Sequence, residues 1–238
     1  MTIQSEKVTF EGAHGDELAA RLELPAGDAP EGFALFAHCF TCSKDLFAPT
    51  RVARRLAELG VAVLRFDFTG LGHSGGEFGN TNFSSNVEDL EAAADYLRDQ
   101  WEAPSLIIGH SFGGTAALVA ASRIEEIQAV STIGAPCHPA HVEHLFDGKL
   151  EELEAEGEAT VSIGGREFSL SRQFLEDIRQ QNMKETLSEM KKALLVFHSP
   201  LDDVVGIDNA RLIFEAAKHP KSFISLDQAD HLLSSKED

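Results

Sequence analysis

Six short apolar runs, Phe33–Ala37, Val61–Phe66, Ser105–Ile108, Ile127–Ile133, Ala193–Phe197 and Ser222–Leu226, constrain this chain more than any other feature. Each is nearly continuous rather than alternating, which suits strands of a parallel sheet covered by helices on both faces. Ahead of them, Val8 and Phe10, then Leu18, Ala20, Leu22 and Leu24, alternate with polar neighbours and predict two antiparallel leading strands. Helical stretches separate the runs. One has Pro49 in its first turn, Val52, Leu56 and Leu59 on one face, and Gly60 at its stop. Another sets Ser85 and Glu88 in capping-box register and carries Val87, Leu90, Ala94, Leu97 and Trp101 on one stripe. This alternation predicts an α/β fold built on an open, doubly wound, mostly parallel sheet of about eight strands.

One interval breaks the rhythm. Between Ala135 and Ala193 lies far more chain than a single crossover needs. It holds an acidic stretch, residues 150–158, that reads as a solvated helix face. A hairpin follows, Ala159–Ile163 and Arg166–Leu170 turned by Gly164-Gly165, and two helical pieces complete the segment. The division predicted is a core of residues 1–135 and 191–238, with residues 136–190 as an inserted lid.

Composition narrows the function classes. A chain of 238 residues with 43% hydrophobic content can bury one substantial core. The formal net charge of −19 argues against nucleic acid and anionic membrane as partners, because both demand concentrated Lys and Arg. No apolar run is long enough to span a membrane, and the N-terminus lacks a basic region followed by an apolar one. Three cysteines are a sparse, odd set, unlike a secreted disulfide framework, so the expected location is cytoplasmic.

Chemistry enters at Gly109-His110-Ser111-Phe112-Gly113, which fits G-x-S-x-G between a buried strand and a small-residue helix. Such a turn lifts Ser111 Oγ off the end of the sheet. A serine hydroxyl is a weak nucleophile and needs a base, which in turn needs an orienting acid. In the chain order that follows a nucleophile elbow, Asp202 stands after the strand ending at Phe197, and His231 after the strand ending at Leu226. Ser111, Asp202 and His231 are therefore the predicted catalytic residues.

Gly109–Gly113, Asp67-Phe-Thr-Gly-Leu-Gly-His-Ser74, Ser199-Pro-Leu-Asp202 and Ala229-Asp230-His231 together resemble the α/β-hydrolase superfamily over essentially the whole chain. The resemblance implies Ser111 as nucleophile, Asp202 as acid and His231 as base, with Asp203 left solvated. It also implies an oxyanion hole formed by the backbone N–H groups of Phe40 and Phe112, and no cofactor. Among branches, the chain is similar to small bacterial carboxylesterases, including cinnamoyl and feruloyl esterases with a compact lid. Through HCFTCSKD, TNFSSNVEDL and VGIDNARLIF it is more similar still to the hydrolase half of bacterial proteins fused to an OsmC-type peroxide-defence domain. The implied activity is a serine hydrolase cleaving short-chain or aryl carboxylic esters through an acyl-enzyme. The same triad serves thioesterase, amidase or perhydrolase chemistry, and a low-turnover partner domain of a redox module is a reading from a different class. The implied partners are a small-molecule ester and a fused or associated OsmC-type domain, with oligomerisation open. The short stretch after His231, where the superfamily usually closes with a full helix, accords with such a fusion.

The segment HCFTCSKD carries Cys39 where the superfamily usually has glycine, and places Cys42 three residues on. It reads in three ways: a thiol redox pair, half of a zinc site completed by Cys137, His138, His141 and His144, or small side chains lining the oxyanion loop. The third leads, with no metal expected, because a redox pair belongs at a helix N-terminus and no second C-x-x-C exists. His38, Cys39, Thr41 and His110 are then expected to line the loop and pocket. His38 and His110 hydrogen-bond the loop and elbow, Asp67 and the Gly70–Gly72 turn hold the next loop, and Phe40, Phe47 and Phe112 face an acyl pocket.

Overall fold

The computed structural model describes residues 3–27 and 29–235. The two leading strands, β1 (Gln4–Glu11) and β2 (Glu17–Leu24), pair antiparallel, and β2 pairs antiparallel with β4 (Val61–Phe66). From β4 onward every pairing is parallel, through β3 (Gly32–Ala37), β5 (Leu106–His110), β6 (Ala129–Ile133), β9 (Ala193–His198) and β10 (Lys221–Ser225). The eight-stranded order β1-β2-β4-β3-β5-β6-β9-β10 reverses direction between β3 and β5. The carboxyl ends of those two strands therefore open a crevice, where ligands of such sheets bind. Ala37 is paired with Gly109, so the loops that follow β3 and β5 leave the sheet side by side.

Alternate residues of the runs face opposite sides. Leu35, Ala37 and Ile107 pack into the cluster holding α2 (Phe83–Gln100) and α3 (Phe112–Arg123), whereas Ala34, Phe36 and Ile108 pack with α1 (Phe47–Glu58). The second face is not fully covered, contrary to the both-faces expectation. Beside α1, Leu106, Ile108, Ile133, Leu195 and Phe197 line an open apolar groove of about 740 Å³.

Helix ends differ from expectation in three places. α2 begins at Phe83 with Asn82 as its cap: Ser85 N–H donates to Asn82 Oδ1 at 2.8 Å, and Asn82 N–H donates to Ser85 Oγ at 2.9 Å. Ser85 is thus the inner partner of the box rather than its cap, and the earlier start buries the Phe83 ring completely. Leu59 and Trp101 sit at C-caps and are exposed, because each helix ends before the apolar stripe completes another turn.

Between β6 and β9 come α4 (Leu150–Glu156), the hairpin β7 (Glu158–Ile163) and β8 (Arg166–Ser171), α5 (Arg172–Gln180) and α6 (Met183–Glu189). The hairpin turns on Gly164 and Gly165, both at positive φ, as a two-residue turn matched to strand twist requires. α4 buries Leu153 and turns most of its glutamates to solvent. Leu153, Val161, Leu170, Phe174 and Ile178 join the same core as α3, so the insertion shares the main hydrophobic cluster. After β9, α7 (Asp208–Ala216) packs on β9 and β10. Among the described residues no helix is long and apolar enough to cross a membrane.

Candidate active site

Ser111 occupies the single position between β5 and α3, with φ 54° and ψ −128°. A side chain rarely adopts that backbone region, and such strain is the mark of a nucleophile elbow. The neighbouring glycines are sterically required. A Cβ on Gly109 would stand 2.3 Å from Gly113 O, and one on Gly113 would stand 2.2 Å from His38 O. The elbow therefore packs backbone to backbone against the loop after β3.

Asp202 follows β9 and His231 follows β10, and the structure brings both to Ser111. Ser111 Oγ lies 2.9 Å from His231 Nε2, and His231 Nδ1 lies 2.8 Å from Asp202 Oδ2. All three are buried. Burial works to raise the Asp202 pKa, but hydrogen bonds from His231 and from the Val205 and Val204 N–H groups outweigh it, so the carboxyl lies below its ordinary value. An ionised Asp202 holds the imidazole proton on Nδ1 and leaves the Nε2 lone pair facing the serine hydroxyl. Asp203 is exposed, as expected.

Two buried histidines brace this line. His110 Nε2 donates to the His231 carbonyl at 2.7 Å, and His198 Nε2 donates to the Val205 carbonyl at 2.7 Å. Burial and the nearby His231 push the His110 pKa down to about 4, so its ring is neutral at pH 7. His38, also lowered chiefly by burial, donates from Nδ1 to Cys39 O at 2.8 Å and accepts Phe68 N–H at Nε2. Gly134, which no sequence motif marked, sits under the Asp202–His231 contact. A Cβ there would be 3.1 Å from Asp202 Oδ2.

The loop after β3 corrects the leading reading of HCFTCSKD. Cys39 and Cys42 are joined in a disulfide, with their Cα atoms 5.3 Å apart, rather than lining the loop as two separate small side chains. Close spacing along the chain and a tight turn, Cys42 N–H to Cys39 O at 3.1 Å, bring the sulfurs together. Phe40, inside this bridge, sets its ring centroid 4.9 Å from that of Phe112, 5.5 Å from Phe174 and 5.7 Å from Phe78, all tilted contacts. Thr41 is at φ 57°, and its carbonyl accepts from Arg166 Nη2 of the insertion at 2.6 Å. Phe47, expected at the pocket, is instead exposed under the Arg51 guanidinium, because α1 carries it away from the crevice.

Beneath the loop runs an ionic network that sequence reasoning caught only at Asp67. Lys44 donates to Asp67 through both its backbone N–H and Nζ, each at 2.6 Å, and His73 N–H adds a third bond at 2.9 Å. Arg65 pairs with Glu23 at 2.8 Å and also binds the Lys44 carbonyl. A lysine seven residues past the end of β3 was the available signal. His138, His141 and His144 spend ring nitrogens on backbone carbonyls, and no group of three metal-ligating side chains occurs among the described residues.

A strand–elbow–helix with this hydrogen-bonded line at the switch point of a mostly parallel sheet defines an α/β hydrolase. The family model described as serine aminopeptidase, S33, matches residues 28–156, and the chain belongs to that α/β-hydrolase family. The esterase domain of a Rhodothermus marinus protein is 51% identical over 100% of this chain and 92% of that one, with a TM-score of 0.78. Est1E from Butyrivibrio proteoclasticus, solved with ferulic acid bound, is 20% identical over 96% of this chain and 93% of that one, with a TM-score of 0.83. A putative hydrolase from Agrobacterium vitis is 20% identical over 100% and 95% of the two chains, with a TM-score of 0.80. The two more distant likenesses concern the fold alone. No curated protein sequence matches the chain.

Proposed function

We propose that this hydrolase is a serine carboxylesterase acting on short-chain or aryl esters through an acyl-enzyme. The observation that carries the reading is the continuous line Ser111 Oγ–His231 Nε2 and His231 Nδ1–Asp202 Oδ2, at 2.9 and 2.8 Å, with Ser111 on a strained elbow. The 51% identity to an esterase domain supports it.

In this mechanism Ser111 Oγ attacks the ester carbonyl carbon as His231 Nε2 takes its proton. The tetrahedral oxyanion is held by the backbone N–H groups of Phe40 and Phe112, each worth about 3 kcal/mol. His231 then protonates the departing alkoxide, leaving the acyl group on Ser111. Water, deprotonated by the same nitrogen, attacks that acyl-enzyme, and the acid leaves as Ser111 recovers its proton. Residues 136–190 act as a lid over the crevice. The aromatic wall of Phe40, Phe112 and Phe174 favours compact acyl or aryl groups.

The test is turnover of p-nitrophenyl acetate and butyrate by the wild type and Ser111→Ala, with fluorophosphonate labelling of the same site. The variant is expected to lose at least ~10⁴-fold in kcat and to take up no label. Equal turnover by both proteins would overturn the assignment.

A further inference from the structure

The proposed reaction makes no use of the covalent bond across its own oxyanion loop. The bridge encloses only Phe40 and Thr41. Thr41 lies at φ 57°, a region that β-branched residues adopt only when their surroundings enforce it. Three constraints do so here: the disulfide, the Cys42 N–H to Cys39 O turn, and the Arg166 bond to the Thr41 carbonyl. The same four residues also meet the rest of the site. The Phe40 ring touches the elbow at Phe112 and the insertion at Phe174, while Arg166 ties the insertion's hairpin to the loop backbone. Opening the bridge removes the one covalent constraint among these contacts.

The two sulfurs differ in access. Cys39 is buried, whereas Cys42 is half-buried. The remaining cysteine, Cys137, is free and lies after β6, outside this loop.

We propose that Cys39–Cys42 is a thiol–disulfide exchange site for small dithiols, and that its reduction loosens the oxyanion loop from the lid hairpin and lowers ester turnover. A dithiol's thiolate attacks Cys42 Sγ, breaking the Cys39–Cys42 bond and expelling the Cys39 thiolate, which is then protonated. The dithiol's second thiolate attacks the mixed disulfide and releases Cys42. The products are two cysteine thiols and one oxidised, cyclic dithiol. Glutathione disulfide re-forms the bridge by two exchanges: the Cys42 thiolate takes up one glutathionyl group and releases glutathione, and the Cys39 thiolate then displaces the second glutathione. The exchange chemistry is independent of the esterase reading; the effect on turnover rests on it.

The experiment uses the chain after oxidation with glutathione disulfide and after reduction with dithiothreitol. Thiol titration in denaturant is expected to find one free cysteine, Cys137, in the oxidised form and three in the reduced form. Reduction is expected to lower kcat on p-nitrophenyl butyrate about tenfold with little change in KM, short of the roughly 100-fold or greater loss when a donor is removed outright. Reoxidation restores the rate, and Cys42→Ser stays at the low rate whatever the reductant. Hydrogen exchange over residues 158–171 rises in the reduced form, a readout that needs no turnover. Three thiols after oxidation, or unchanged kcat and unchanged exchange once three thiols are titrated, would overturn the proposal. Raised exchange in a protein that hydrolyses no ester in either state would uphold the loop–lid coupling and sink the esterase reading instead.

Discussion

The ring of His110 is hydrogen-bonded to the backbone carbonyl of His231 at 2.7 Å, so the residue before Ser111 holds the residue whose Nε2 faces the Ser111 hydroxyl. The bond joins β5 to the loop after β10, elements distant in sequence and separated by β6 and β9 in the sheet. Its donor must be neutral Nε2–H, because His110 Nδ1 is buried without a partner and a second proton there would be unsolvated.

That neutrality has a pH signature. Burial, then the adjacent His231, lower the His110 pKa from 6.5 to about 4. The unfolded chain therefore binds a proton that the folded chain refuses between those two values, and stability falls as pH drops through that window. The full loss from this one group is about 3 kcal/mol, complete below pH 4 and absent above 6.5. His110→Gln keeps an N–H donor but does not titrate. Urea midpoints at pH 7 and pH 4.5 should fall less steeply for the variant than for the wild type, and parallel slopes would exclude this origin.

Lys44 and Asp67 give a prediction of a different kind. Both side chains are buried, and their 2.6 Å contact lies directly under the loop that follows β3. Removing the Lys44 ammonium leaves the buried Asp67 carboxylate held only by the Lys44 and His73 backbone N–H groups with no counter-charge, which costs more than the pair contributes. Lys44→Met is expected to lose about 3–5 kcal/mol in urea unfolding, and Lys44→Met with Asp67→Asn to recover a substantial part of it. A single variant as stable as the wild type would show that the pair bears no weight.

The order of strands and helices was legible because each apolar run marks a strand, and the meeting of Ser111, Asp202 and His231 in one hydrogen-bonded line was legible because each follows the end of one. What escaped depended on neighbours remote in sequence. Gly134 matters only through the Asp202–His231 contact above it. His198 matters only because Val205 turns its carbonyl back toward it. The cap of α2 shifted to Asn82 because burying Phe83 outweighs a local register that Ser85 and Glu88 satisfy equally well on paper. Phe47 left the pocket because the direction of α1 is set by packing on β4, not by its own first turn. The disulfide was set aside because the segment follows a strand rather than opening a helix, and the tight turn that brings the two sulfurs together is not visible in the spacing.

Phe174 should set the acyl limit. It is fully buried on α5, with its ring 5.5 Å from Phe40, 6.3 Å from Phe112 and 6.4 Å from Phe146. Truncation to alanine leaves a cavity beside Phe112, at a stability cost of about 3–5 kcal/mol. That space suits additional methylenes, each worth about 0.8 kcal/mol when buried. The ratio of kcat/KM for p-nitrophenyl octanoate over butyrate should therefore rise roughly tenfold or more in Phe174→Ala. Phe174→Leu, which keeps more of the packing, should show a smaller rise at near wild-type stability. The ratio separates the two consequences of the substitution: a folding defect lowers both substrates together, whereas an opened acyl space favours only the longer one. An unchanged ratio in both variants would place the acyl chain on another wall of the crevice.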